Sequence, residues 1–159
     1  MGVAKMILMR SRLIRLEAVY PGYSIYFITF CTHEHQDFLA NPRMHESFHN
    51  FCVQARDRNV LTDRYMTMPD HIHLFVRFGG KVRMSMWIKS LKNSLSKSLR
   101  LSGRQAPHWQ KGYFDHLLRG GESYGSKWEY VSYNPVRHQL ASEPSLWPFQ
   151  GEINALSFH

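Results

Sequence analysis

Apolar and polar side chains alternate most regularly between His71 and Phe78. Ile72, Leu74, Val76 and Phe78 fall on one side, and His71, His73, Phe75 and Arg77 on the other. A period of two predicts a strand with one face in a core, and Gly79-Gly80 ends it. Tyr23 to Cys31 is aromatic and β-branched with no polar side, which predicts a central strand covered on both faces. Val60–Thr67 and Tyr113–Leu118 read as two further strands. Elsewhere the spacing becomes helical. Met44, Phe48, Phe51, Cys52 and Ala55 share one face of a segment from Met44 to Arg58, behind a break at Asn41-Pro42. From Arg83 to Leu101, Met84, Trp87, Ile88, Leu91, Leu95 and Leu99 line one side. A last helix is predicted over Glu122–Arg137, with Tyr124, Trp128 and Val131 as its apolar stripe and Pro135 near its end.

The order strand, helix, strand, strand, helix, strand, helix fits the α+β class: a ferredoxin-like antiparallel sheet with its helices on one face, then a C-terminal helix. The histidine-bearing strand falls near the middle, so its polar side faces something other than the core. Residues 1–20 read as a basic N-terminal arm and residues 142–159 as a tail wrapping the surface. No repeat, linker or low-complexity tract intervenes, and residues 1–159 read as a single domain.

Composition narrows the classes. A hydrophobic fraction of 43% and an aromatic fraction of 14% can fill a core, which excludes a disordered chain. No apolar run approaches the roughly 20 residues that span a bilayer. The opening segment has neither the unbroken apolar stretch nor the cleavage site of a signal peptide. Cys31 and Cys52 sit inside patterned segments and read as reduced thiols. A cytoplasmic protein without membrane association is expected. Twenty Lys and Arg against twelve Asp and Glu leave a net charge of +8, which directs attention to polyanionic partners, nucleic acid first.

His71 and His73, two apart on a strand, point the same way and could chelate one divalent ion. Ten histidines in 159 residues give roughly 0.6 such pairs by chance, and His33-Glu34-His35 is a second copy. Context separates the two: the first pair lies on a regular strand, whereas His33 and His35 fall where a strand runs out into a polar turn and read as solvated. On the last helix Tyr130 and Asn134, four apart, share a face with Lys127, while Tyr133 points elsewhere. A phenol can be a nucleophile and an amide oxygen a ligand, but a helix tyrosine is often just a boundary residue with its hydroxyl in water. Lys89 and Lys92 on the helix from 83 to 101, with Arg119 and Lys127, are candidates for phosphate contact; a solvated helix face is the plain alternative.

The strings MPDHIHLFVRF, WQKGYFDHLLRGGESYGSKWEYVSYNPVRHQL and SLWPF, in that order, resemble the single-tyrosine HUH transposase superfamily, and within it the REP-associated tyrosine transposases. The likeness runs from the strand near residue 25 to about residue 149. It implies that His71 and His73 are metal ligands with Asn134 as a third, and that the ion is divalent, Mg²⁺ or Mn²⁺. It also implies that Tyr130 attacks single-stranded or hairpin DNA to leave a 5′-phosphotyrosine link and a free 3′-hydroxyl. Relatives include homodimers that exchange the tyrosine helix and monomers that do not. Arg137-His138-Gln139 departs from the small residue and Gly found in many relatives. Two other readings stay open: a hairpin-binding module of the same fold without catalysis, and an RNA-binding sheet that stacks bases on Phe75 beside His73.

Overall fold

The computed structural model describes residues 24–156; the basic arm expected over 1–20 lies outside them. Strand β1 is Ile25–Cys31, β2 is Val60–Thr67, β3 is His71–Phe78, β4 is Phe114–Leu118 and β5 is Gln150–Glu152. Helix α1 is Pro42–Ala55, α2 is Met84–Leu101, α3 is Gly121–Ser132 and α4 is the single turn Asn134–Arg137. The strands form one sheet in the order β4-β1-β3-β2-β5, and every pairing is antiparallel. The first four strands have the ferredoxin-like order, with β1 and β3 at the centre.

Side chains on β1 and β3 divide between two cores. Tyr26, Ile28, Phe30, Ile72, Leu74 and Val76 meet Phe48 and Cys52 of α1 and Trp87, Leu91 and Leu95 of α2. On the opposite face Ile25, Phe27 and Phe75 meet Tyr124 and Val131 of α3, together with Trp147. Helices therefore cover both faces, as the two-sided apolar pattern of β1 requires: α1 and α2 form the ferredoxin-like layer, and the C-terminal α3 takes the other side. The second face is closed because α3 carries its own apolar stripe, which must be buried against something.

Several boundaries have simple local causes. Helix α1 begins at Pro42, two residues before its first apolar position, because the Asn41 side chain caps it by accepting from Met44 N at 3.0 Å with Pro42 in the first turn. Its end tightens into a 3₁₀ turn over Arg56–Arg58, closed by Asn59 at φ 63°. The predicted helix over Glu122–Arg137 divides at Tyr133, whose ψ of −2° ends α3 before Asn134-Pro135 starts the next turn. An irregularity in the β2–β3 register between Thr62 and Tyr65 matters for the second face. A bulge adds a residue without alternating sides, so both Asp63 and Arg64 turn toward α3. The Tyr124 hydroxyl donates to Asp63 Oδ2 at 2.7 Å, and the Arg64 guanidinium lies over the Tyr124 and Trp128 rings at 5.9 and 5.4 Å.

The tail does more than wrap the surface. Gln150–Glu152 adds a fifth strand to the free edge of β2, and Trp147 Nε1 donates to Thr67 O at 2.9 Å. Three residues are too few to display a period, so this strand has no hydrophobic signature; it is held through backbone pairing. Gly151 is needed there, because a Cβ would stand 2.8 Å from Tyr65 Oη. The Tyr65 hydroxyl is itself fixed by His45 Nε2 at 2.6 Å and His49 Nδ1 at 3.3 Å. Gly151→Ala should thus lower stability by about 1–3 kcal/mol through overpacking. Gly125→Ala, at an exposed helical site with nothing within 4 Å of the added atom, should raise it by up to about 1 kcal/mol. Urea unfolding of the two variants checks both signs.

Candidate active site

Strand β3 delivers His71 and His73 to the second face, and the ladder supplies their supports. Thr29 lies directly opposite His73 on β1, and its Oγ1 is 2.7 Å from His73 Nδ1. Asp70, the last residue before the strand, places Oδ1 2.7 Å from His71 Nδ1. An ionised carboxylate only accepts, so the His71 proton sits on Nδ1 and its Nε2 presents a lone pair. The Thr29 hydroxyl can donate or accept, and so accommodates either tautomer of His73.

The two Nε2 atoms converge to 3.1 Å. Asn134 completes a triangle: its amide nitrogen is 3.1 Å from each. A half-turn of that amide puts Oδ1 at the same point. Donors about 3 Å apart match neighbouring positions around an ion with ligand distances of about 2.1 Å and octahedral geometry. Asp70 behind His71 is the kind of outer partner that orients a metal-binding imidazole. The donor set thus fits a small divalent ion. Among the described residues no group of three or more His, Cys, Asp or Glu side chains is placed to hold one, so a third protein ligand here would have to be the Asn134 amide.

Burial keeps both imidazoles neutral. His73 is pulled down to about 3, by burial first and then by the charges of His71, Arg137 and Lys127. His71 is also lowered by burial, although Asp70 opposes the shift. The sequence alone suggests ligands that lose their lone pairs below about pH 6; the structure moves that loss to lower pH.

Tyr130, on the last turn of α3, is 65% exposed. Its hydroxyl makes no hydrogen bond to the triad, and the Arg137 guanidinium covers its ring at 4.0 Å. Tyr124, by contrast, is buried and stacked on Phe75 at 4.6 Å, and its phenol is pushed far up by burial and by Asp63. Tyr133 is about half exposed. Phe75 is fully buried under α3, so the open aromatic sheet required by the RNA-binding reading does not exist here. His33 and His35 lie on a short 3₁₀ turn in which Glu34 and His35 take positive φ. His35 is mostly exposed and reaches Asp70 Oδ2 at 3.3 Å, not the triad.

The four basic candidates divide between the two faces. Lys127 Nζ sits over the Phe27 ring at 5.3 Å, and Phe27 stacks on His73. Arg119 is exposed at the end of β4, and it and Lys127 both act on His116. Lys89 and Lys92 ride on α2, across the sheet. Lys89 is exposed, whereas Lys92 Nζ donates to Gly112 O at 2.6 Å and Gln110 O at 3.2 Å, tying α2 to the loop before β4. Sequence reasoning gave no role to Thr29, Asp70 or Arg137. Asp70 had a signal, an acid directly before the first histidine; Thr29 is found only through the register.

A family described as IS200-like transposase matches residues 23–133, stopping one residue before Asn134. A provisionally named REP-associated tyrosine transposase of Haemophilus influenzae is 27% identical over 103 residues, covering 58% of this chain and 55% of that protein. The REP-associated tyrosine transposase of Escherichia coli is 25% identical over 103 residues, covering 64% and 59%. The matches thus span little more than half the length of these relatives. A solved REP-associated tyrosine transposase bound to a REP hairpin superposes with a TM-score of 0.67 at 19% identity, covering 86% of this chain and 90% of that one, and shares the fold. Among the described residues no helix is long and apolar enough to cross a membrane.

The lowered His73 makes a prediction for the metal-free protein. The unfolded chain takes a proton near 6.5 and the folded chain only near 3. Stability from this group is therefore complete above about pH 6.5 and lost as pH falls toward 3. The limiting slope is a little over 1 kcal/mol per pH unit for each proton. In chelator, His73→Gln should show a smaller drop in urea midpoint between pH 7 and pH 5 than wild type; equal drops would contradict the shift.

Proposed function

Since the chain belongs to the IS200-like transposase family, we propose that it is a cytoplasmic enzyme that cleaves and rejoins single-stranded or hairpin DNA through Tyr130. The observation that carries this reading is the convergence of His71, His73 and Asn134 at 3.1 Å, a turn away from an exposed tyrosine. In the reaction Tyr130 Oη forms a bond to phosphorus and the bond from phosphorus to the 3′-oxygen breaks. The phenolic proton is balanced by the one gained at the leaving 3′-hydroxyl. The product is a 5′-phosphotyrosine, and a 3′-hydroxyl can reverse the step without an external energy source.

A divalent ion, Mg²⁺ or Mn²⁺, held by His71, His73 and Asn134, would polarise the scissile phosphate. Asp70 and Thr29 hold the imidazoles in place, and burial keeps them unprotonated at neutral pH. Lys127 and Arg119 border this face and are assigned to the DNA backbone. Asn134 reaches the histidines of its own chain, so the triad needs no helix exchanged from a second copy; a homodimer is compatible with this site but not required by it. The second reading is a hairpin-binding protein of the same fold without strand cleavage.

A strand labelled at its 3′ end, incubated with the protein and Mn²⁺, should give a protein–DNA band that survives denaturant, while a 5′ label is released. Tyr130→Phe should abolish the band and change stability by no more than about 0.5 kcal/mol. Tyr133→Phe and Tyr124→Phe should retain it, the second with a stability loss of about 1–3 kcal/mol from the lost bond to Asp63. Tight hairpin binding with no band in either metal would favour the non-cleaving reading.

Backbone contact is separable by salt. On single strands each phosphate contact adds about −0.7 to the log–log slope of affinity against salt. Arg119→Gln with Lys127→Gln should flatten the slope by about 1.4, while Lys89→Gln should leave it unchanged. The reverse pattern would move the DNA path to the α2 face.

A further inference from the structure

Arg137 touches Tyr130 at two points. Helix α3 ends at Ser132, so its last carbonyls lack the amides that would continue the ladder. Pro135 has no N–H to return to Val131, and Tyr133 N takes that place. Ser132 Oγ donates to Glu129 O at 2.8 Å. The Tyr130 carbonyl receives Arg137 Nη1, also at 2.8 Å. The same guanidinium lies over the Tyr130 ring, 4.0 Å from its centroid. One side chain therefore grips both the main chain and the ring of a residue whose side chain is otherwise largely in water. A planar guanidinium can lie flat on a ring while donating in its own plane, whereas an ammonium has no flat face to lay on the ring.

We propose that Arg137 is the positioning residue for Tyr130: it closes the carbonyl end of α3 and clamps the phenol ring, so that Oη is held in one orientation for attack on phosphorus. This rests on the proposed role of Tyr130. The cation also suits the macrodipole at a helix C-terminus, which makes the grip favourable before DNA arrives. A displacement of about 1 Å in an attacking atom is worth about a hundredfold in rate. An unclamped tyrosine should thus be slow while DNA binding is intact.

The test compares wild type with Arg137→Gln and Arg137→Lys. With ¹³C-labelled tyrosine, the ring signals of Tyr130, assigned by their loss in Tyr130→Phe, should shift and average in Arg137→Gln. The rate of covalent band formation at saturating hairpin should fall by about 10- to 100-fold, with hairpin affinity within about twofold of wild type. Arg137→Lys should recover little of the rate. Unchanged ring signals, an undiminished rate, a loss confined to affinity, or full recovery by lysine would each overturn the assignment. If wild type itself forms no covalent band, the reading of Tyr130 as nucleophile fails, and the positioning role falls with it. The NMR comparison then still separates that failure from an Arg137 that does not hold the ring.

Discussion

The gap between two imidazole nitrogens 3.1 Å apart constrains much of this molecule. Asp70 commits His71 to a lone pair on the side facing His73. A second lone pair across the gap would repel it, so the space between them takes a proton or a cation. Burial makes protonated imidazole costly, and the Asn134 amide can face the pair with either of its ends. A site that disfavours imidazolium charge and offers three small donors at ion-sized spacing is suited to exchanging a neutral imidazole N–H for a cation. Elements near this gap, from the ladder partner Thr29 to the turn bearing Asn134, serve to keep these three side chains from separating.

The fold achieves this by giving the two faces of one sheet different duties. The face carrying α1 and α2 is mainly aliphatic and aromatic and fixes the register of β1 against β3. That register then fixes which polar side chains meet on the other face. The bulge in β2 turns Asp63 and Arg64 toward α3, and their contacts with Tyr124 and Trp128 dock the helix. A docked α3 is what brings Asn134 to the histidines.

Much of this was legible in the residues, for reasons that also explain what was not. The period of two from His71 to Phe78 and the helical spacing of Trp87, Leu91 and Leu95 are properties of single elements, and they identified the sheet, its helices and the histidine pair. Tyr130 and Asn134 stood out by their spacing on one helix face but were given roles only by the resemblance, since a helix tyrosine has many ordinary explanations. Contacts between elements left no local trace. Nothing in the sequence marks Thr29 as the partner of His73, Gly151 as the neighbour of Tyr65, or Lys92 as a tie to the loop at Gly112. That α3 is what covers the second sheet face was also unforeseen, because its apolar stripe demands burial without saying where the helix docks.

The polarity of the chain gives this layered design a temporal side. Synthesis proceeds from the N-terminus, so β1, α1, β2, β3 and α2 leave the ribosome before any residue that covers the histidine face. The aliphatic core can close while His71 and His73 still look into water. Asn134 emerges later, and the strand that seals the β2 edge follows at Gln150–Glu152, with Leu156 N reaching back to Asp63. Completion of the site thereby waits for segments that follow the core in the chain. A polypeptide interrupted before α3 would have the two histidines without Asn134 beside them, without Tyr130, and with an uncovered sheet edge.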